Sequence, residues 1–436
     1  MRAGRVVLTV AAGHAVAVAS AVAAPAWTST PVGDADRLQA VATDPTGAGE
    51  VFADHRPTDY ETPAAYEPLR AAVAPDGRWI IGPLGVEGLT VSSTSRAGSS
   101  AVAVNLQDAW TTGRLRVAVR RSGGWSAPVE ITPRDPLPSG PLIASTVSDA
   151  GDATVAWPTR GSVHAVSVSA NGPGVNTQTV PLGAGAVVST PVLASNARGD
   201  VLAAAWFRQS SGPNRIGVAL YSRATGRWTN LPSPASWQSR RTPRLSITLR
   251  DGGEGALVWR NDGRVWFGLV TATGHRPLSA QRVSAVGSAS SAAVGIDRTG
   301  RTVAAWTTST NTIGVRTRSA AGRWSPTQWQ PLGRAPEYPR SELAIATAGT
   351  NRIVVATTLI SLAASPSSRV MLIALTPRGA TYRPGPRMAF TERDNRDTDQ
   401  PMVSVNPAGR VTAAWMILSG SNAPSTIQAT HGTLAP

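Results

Sequence analysis

The chain has 436 residues, no cysteine, and 41 Lys+Arg against 26 Asp+Glu, a formal net charge of +15. Without cysteine there is no disulfide, thiolate metal site or cysteine nucleophile, and the length exceeds one ordinary core, which calls for several domains or a repeat. Every basic residue is arginine; they are scattered through turns without a dense stripe, so the charge predicts solubility and no specific nucleic-acid footprint.

In chain order, the first element is a secretory signal peptide, residues 1–23. Arg2 and Arg5 precede the apolar run "VVLTVAAGHAVAVASAVA", and Ala21 and Ala23 take the small-residue positions before a cleavage site. A membrane anchor is the competing reading; the run is Ala-rich and interrupted by His14, which argues against it. The mature chain is then secreted, starts at Ala24, and holds no later apolar run long enough for a spanning helix.

Residues 24–436 read as one domain of repeats. "APAWTSTPVG" at the mature N-terminus matches the strand words "GWSAPVEI" and "RWSPTQW" found later. The first unit is "LQAVATDPTGAGEVFAD" with "LRAAVAPDGRWIIGPL", and the second is "VSSTSRAGSSAVAV" with "LRVAVRRSGGWSAPV". The third to sixth units carry a tryptophan at the end of their second strand, at Trp157, Trp206, Trp259 and Trp306, about 50 residues apart. The seventh, "ELAIATAGTNRIVVATT" with "VMLIALTPRGATYRP", lacks it, and in the second unit Val104 replaces it. The eighth, "QPMVSVNPAGRVTAAW" to Trp415, ends in "IQATHGTLAP" without a convincing fourth strand.

Each unit begins with an apolar strand, an Asp or Asn, a Gly, and a second apolar strand; the short polar residue and Gly suit a tight turn that needs positive φ. A second hairpin follows, giving four antiparallel strands, a to d. Strand b, as in "TVAAW", is apolar on both alternating faces and must be covered on both. The predicted fold is all-β: a β-propeller of eight four-stranded antiparallel blades, or seven if a weak unit collapses into a loop. The N-terminal strand is expected to complete the last blade and close the ring. The tryptophans read as packing between blades.

"SDAGDATVAW", Ser148 to Trp157, resembles the Asp-box repeat Ser-x-Asp-x-Gly-x-Thr-Trp of sialidase-type propellers. It differs in having no residue between Ser148 and Asp149 and extra residues before the tryptophan. The resemblance extends over the mature chain as a pattern and implies the propeller fold. For a sialidase it would also imply an arginine triad for a carboxylate, a Tyr activated by a Glu, and an acid/base Asp. Arg240 or Arg241 with Arg260 and Arg340 are the candidate triad, and Glu337 adjoins Tyr338, although neighbours on a strand face opposite ways.

The loops joining d to the next a, and b to c, share one face of a propeller. Arg208, Arg240, Arg241, Arg260, Glu337, Tyr338, Arg340, Asp397 and Asp399 fall in them and are the candidate ligand-binding residues. No catalytic residue, cofactor or metal site is assigned. His14, His55, His164, His275 and His431 are dispersed, and "DNRDTD" lacks the Gly and distal Glu of a calcium loop. The expected function is a monomeric, non-enzymatic secreted propeller that binds a glycan, cell-wall polymer or protein through its loop face. An anionic glycan or wall polymer suits the arginines. The alternatives are a sialidase-type glycoside hydrolase and a protein-interaction scaffold.

Overall fold

The repeated words become hairpins whose turns are stapled by the residues the sequence repeats. At the third unit the Ser148 N–H donates to the Asp152 carbonyl and the Gly151 N–H to the Ser148 carbonyl, both at 2.9 Å. Ser148 Oγ accepts a third bond from the Asp152 N–H at 3.1 Å. The first residue must therefore be a short side-chain acceptor. Gly151, at φ 82°, occupies a region that residues with a Cβ avoid. Asp44, Asn196, Asp297 and Asn406 repeat the pattern, and Ser95 repeats it one residue longer. At Arg250 only the two backbone bonds remain.

In a computed structural model the strands assemble into eight sheets of a β-propeller, with no helix among the described residues. Description runs from residue 27 to 434, apart from 55–68, 85–90, 108–113, 134–141, 209–213, 238–243, 271–279, 362–367, 419–424 and shorter breaks of up to four residues. The expected signal peptide lies outside it. Blade 1 is Arg37–Thr43, Gly49–Asp54, Leu69–Val73 and Trp79–Pro83, strands a to d from the channel outward. The Trp-less seventh unit is a complete blade: Glu337–Ala348, Arg352–Ser361, Ser368–Arg378 and Thr381–Glu392. Blade 8 takes Asp397–Val405, Arg410–Leu418 and Ser425–Thr433 from the C-terminal end of the chain. Its outer strand is Thr30–Ala35, pairing Thr30 with Ala429 and Ala35 with Ser425. The closing strand thus starts a few residues later than "AWTSTPV"; Trp27 instead packs over Gly432, where a Cβ would come within 2.5 Å of its ring.

The apolar core is divided in the same way. Eight clusters of buried residues each lie between two adjacent blades, from blades 1 and 2 round to blades 8 and 1. Trp157, Trp206, Trp259, Trp306 and Trp415 are all at most 1% exposed. Four of them face the preceding blade, but Trp206 faces the following one and shares a cluster with Trp259. The cause is one extra residue between Gly199 and Trp206 relative to the other copies, because a one-residue slip moves a strand residue to the other side of its sheet.

Candidate functional site

The eight a strands surround the channel, and small hydroxyls on them join one blade to the next. Ser145 Oγ donates to Ser93 Oγ at 3.1 Å, Ser195 Oγ to the Val147 carbonyl at 2.8 Å, and Thr94 Oγ1 to the Val41 carbonyl at 3.0 Å. Across the seam between blades 8 and 1, the Thr43 N–H donates to Ser404 Oγ at 2.9 Å. Burying so many short polar groups is tolerable because their partners are in place.

The two ends of the channel differ. The a–b turns meet at one end. There Arg96, in the turn of blade 2, reaches across the axis to the opposite side of the ring. Its Nη2 donates to the Ile296 carbonyl of blade 6 at 2.7 Å and to Thr347 Oγ1 of blade 7 at 3.1 Å. Its Nε donates to the Thr347 carbonyl at 3.2 Å. Burial holds this guanidinium below the ordinary arginine value, while Asp251, Asp149 and Asp297 nearby favour its charge and Arg298 opposes it. Turn-to-turn bonds complete the constriction: the Ala97 N–H donates to Asp149 Oδ1 at 2.9 Å and the Ala197 N–H to Asp251 Oδ1 at 3.0 Å. Arg96 thus bolts the turn end of the channel.

At the other end, the a strands begin and the b strands stop. The a strands of blades 6, 7, 8 and 1, four in succession round the ring, each carry a register shift there. Bulges at a rim re-aim side chains. In blade 8 the shift contains Gln400, the one described non-glycine residue with positive φ, at 49°; its Oε1 accepts the Leu38 N–H of blade 1 at 3.3 Å. Arg244 Nη1, just before blade 5, meets Glu342 Oε1 on the a strand of blade 7 at 3.0 Å, with side chains 61% and 25% exposed. This pair passes over blade 6 at the channel mouth.

The candidates read from the sequence occupy this end where they are described. Arg208 ends the b strand of blade 4 and is exposed. Arg260 lies near the end of the b strand of blade 5, half-buried, and its Nη1 donates to the Ser290 carbonyl of blade 6 at 2.9 Å. Glu337, Tyr338 and Arg340 lie in the first part of the a strand of blade 7. Asp397 opens the a strand of blade 8, and Asp399 is half-buried beside Gln400. The side chains of Glu337, Tyr338, Arg340 and Asp397, and all of Arg240 and Arg241, lie outside the described residues. Sequence reasoning passed over Arg244, Glu342 and Gln400. Each stands within five residues of a chosen candidate, and the strand bulges that place them at the mouth leave no mark on the alternating pattern. Among the described residues, no group of three His, Asp or Glu suited to a metal ion occurs, and no helix is long and apolar enough to cross a membrane.

No family model matches the chain, and no curated protein matches it in sequence. Solved structures do match in shape. The structure of the Dos1 propeller is similar over 93% of this chain and 95% of its own, at 10% identity and a TM-score of 0.53. The BP39L lectin from Burkholderia pseudomallei is similar over 79% of this chain and 97% of its own, at 16% identity and a TM-score of 0.45. The NanB sialidase from Streptococcus pneumoniae is similar over 93% of this chain and 70% of its own, at 9% identity and a TM-score of 0.37. What the likeness to the Dos1 propeller establishes is the propeller fold, and fold alone does not carry an activity.

Proposed function

We propose that the protein is exported and acts as a non-catalytic binding propeller, taking an anionic glycan or wall polymer at the loop end of its channel. The observation that carries this reading is the Arg96 bolt. With the turn end of the channel crossed by Arg96, the approach left to a ligand is the loop end, and there stand the Arg244–Glu342 pair, Asp399 and Gln400. Planar charged groups and amides in a concave site suit the dense hydroxyls of a sugar, and guanidinium forks suit its carboxylates. Arg208, Arg240, Arg241, Arg260 and Arg340 would extend the same rim.

A glycan array tests it. The wild type is expected to bind acidic glycans in a salt-sensitive manner, and an R240A/R241A/R244A/R340A variant to lose that binding while its melting curve stays in place. Equal binding by both proteins would remove the loop mouth as the site. Release of sialic acid from a fluorogenic sialoside would replace the binding reading with the sialidase one. Export is checked separately: the mature mass in the culture medium is expected to begin at Ala24, and an intact Met1 on cell-bound material would refute it.

A further inference from the structure

The end of the ring opposite the loop mouth has a charge pattern of its own. The acids of its turns are directed inward. Asp44 Oδ1 accepts the Ala48 N–H at 2.8 Å and the Thr46 hydroxyl at 2.7 Å. Asp149 and Asp251 cap turns of the neighbouring blades. Asp297 is fully buried and accepts from Arg301 Nε and the Tyr382 hydroxyl, each at 2.8 Å. Part of the negative charge is thus spent inside the fold, and the most exposed charged side chains described on this face are arginines; the Asp251 and Glu254 side chains are 37% exposed, each beside an arginine. Arg78 comes from blade 1, Arg198 and Arg223 from blade 4, Arg298 and Arg323 from blade 6, and Arg410 from blade 8, so the charge is drawn from four of the eight blades.

This face carries a concave cleft. Arg198 and Arg223 rim a cleft of about 380 Å³ whose lining includes Leu220, Tyr221, Asp200 and Gly253. That volume falls in the range of small-ligand pockets, about 300–1,000 Å³. Asp200 Oδ2 holds Arg198 Nη2 at 3.0 Å and Asp152 Oδ2 holds Arg223 Nε at 2.9 Å, yet the two arginine side chains remain 60% and 52% exposed. Both guanidiniums are therefore oriented by a carboxylate while still open to solvent, an arrangement that lowers the ordering cost of gripping an anion.

We infer that the turn face docks a linear, carboxylate-bearing polysaccharide, with one acidic sugar seated in the Arg198–Arg223 cleft and neighbouring units laid across the other turn arginines. The Arg96 bolt prevents such a chain from threading the channel, so it lies over the end of the ring. Several weak contacts along one chain act together, since each later contact is intramolecular. A single-stranded nucleic acid fits less well because its bases seek exposed aromatic platforms; Tyr221, in the cleft, is only 7% exposed. This surface is independent of the loop mouth, and either can fail without the other.

The test uses the full-length protein on immobilised polygalacturonate, with dextran as the uncharged control. Wild type is expected to be retained on polygalacturonate alone and released by salt. R198Q/R223Q/R298Q/R410Q should bind at least about ten-fold more weakly while keeping the array binding of the loop mouth. The double variant R323Q/R410Q, which leaves the cleft and its Asp pairs intact, should elute between the two and melt like wild type. R215Q/R264Q removes the same charge as that double variant from the opposite end, at two exposed arginines that stand at the start of the c strands of blades 4 and 5 and are not part of the proposed loop-mouth site, and should elute with wild type. The inference is overturned if wild type passes through, if the loop-end variant loses as much retention as the turn-end double, or if a DNA oligonucleotide is held to higher salt than polygalacturonate.

Discussion

Arg96 concentrates several physical effects in one residue. Its cation is buried, which is costly, and it is retained by three hydrogen bonds to two blades on the far side of the channel. Arg96→Leu would leave the carbonyls of Ile296 and Thr347 without this donor, and loss of a charged hydrogen bond to a buried group costs about 1.5–3 kcal/mol. A lower denaturation midpoint by about that free energy is expected in a urea titration. His431 offers a second measurement. It lies in the c strand of blade 8 with Nδ1 3.0 Å from Thr412 Oγ1. Burial and Arg410 push its pKa below the ordinary histidine value, and the Gly47 backbone and Asp44 oppose them only in part. A folded-state pKa below the unfolded one contributes stability that is present above the unfolded value, near 6.5, and lost as pH falls through the folded one. The melting temperature should therefore drop between about pH 7 and pH 5, and His431→Gln should flatten that slope. At this scale the sequence was least informative. It pointed to the rim arginines by their position in loops, but Arg96 looks like any other turn arginine in "STSRAGSS", and only the closed ring brings it opposite Ile296.

The hairpin is the element in which sequence and structure agree best, because its demands are local. The turn needs an acceptor at its first position and a glycine at its fourth, so those letters recur and can be read directly. Packing between blades is less local. The side to which Trp206 turns depends on counting one extra residue from Gly199, and a neighbouring strand decides what it meets. Gly314 shows the same dependence. It pairs with Trp306 on the adjacent strand, and a Cβ there would stand 2.4 Å from the indole ring. Gly314→Ala should force the buried tryptophan to shift and lower stability by about 1–3 kcal/mol, the usual cost of overpacking. Trp306 meets Trp329 edge-on at 5.9 Å between ring centroids, so a change in near-ultraviolet circular dichroism should accompany the loss. An unchanged spectrum and melting curve would show that the indole has room to move.

For the molecule as a whole, the count of eight blades was legible because the repeat is regular, and the closure was legible because one hairpin lacked a strand while the N-terminal segment had one to spare. The closure makes a strong demand on few residues. Val32 and Ala35 are fully buried in the cluster between blades 8 and 1. Removing residues 29–35 would uncover that cluster and expose the edge of Ser425–Thr433. A lower melting temperature together with concentration-dependent association is expected; unchanged melting would show that the ring holds without the strand.

The same seam sets a timetable. The Asp34 carboxylate accepts the Thr426 hydroxyl across 392 residues of chain, so the first strand made waits for nearly the last. At about 5–20 residues per second of synthesis the wait is roughly 20–80 seconds. Blades can add to one another in order meanwhile, but the growing molecule is an open crescent with an apolar flank at each end. Two such crescents can exchange their waiting strands, each Thr30–Ala35 segment completing blade 8 of the other chain. A strand-exchanged dimer is therefore the misassembly to expect when this protein is produced at high concentration.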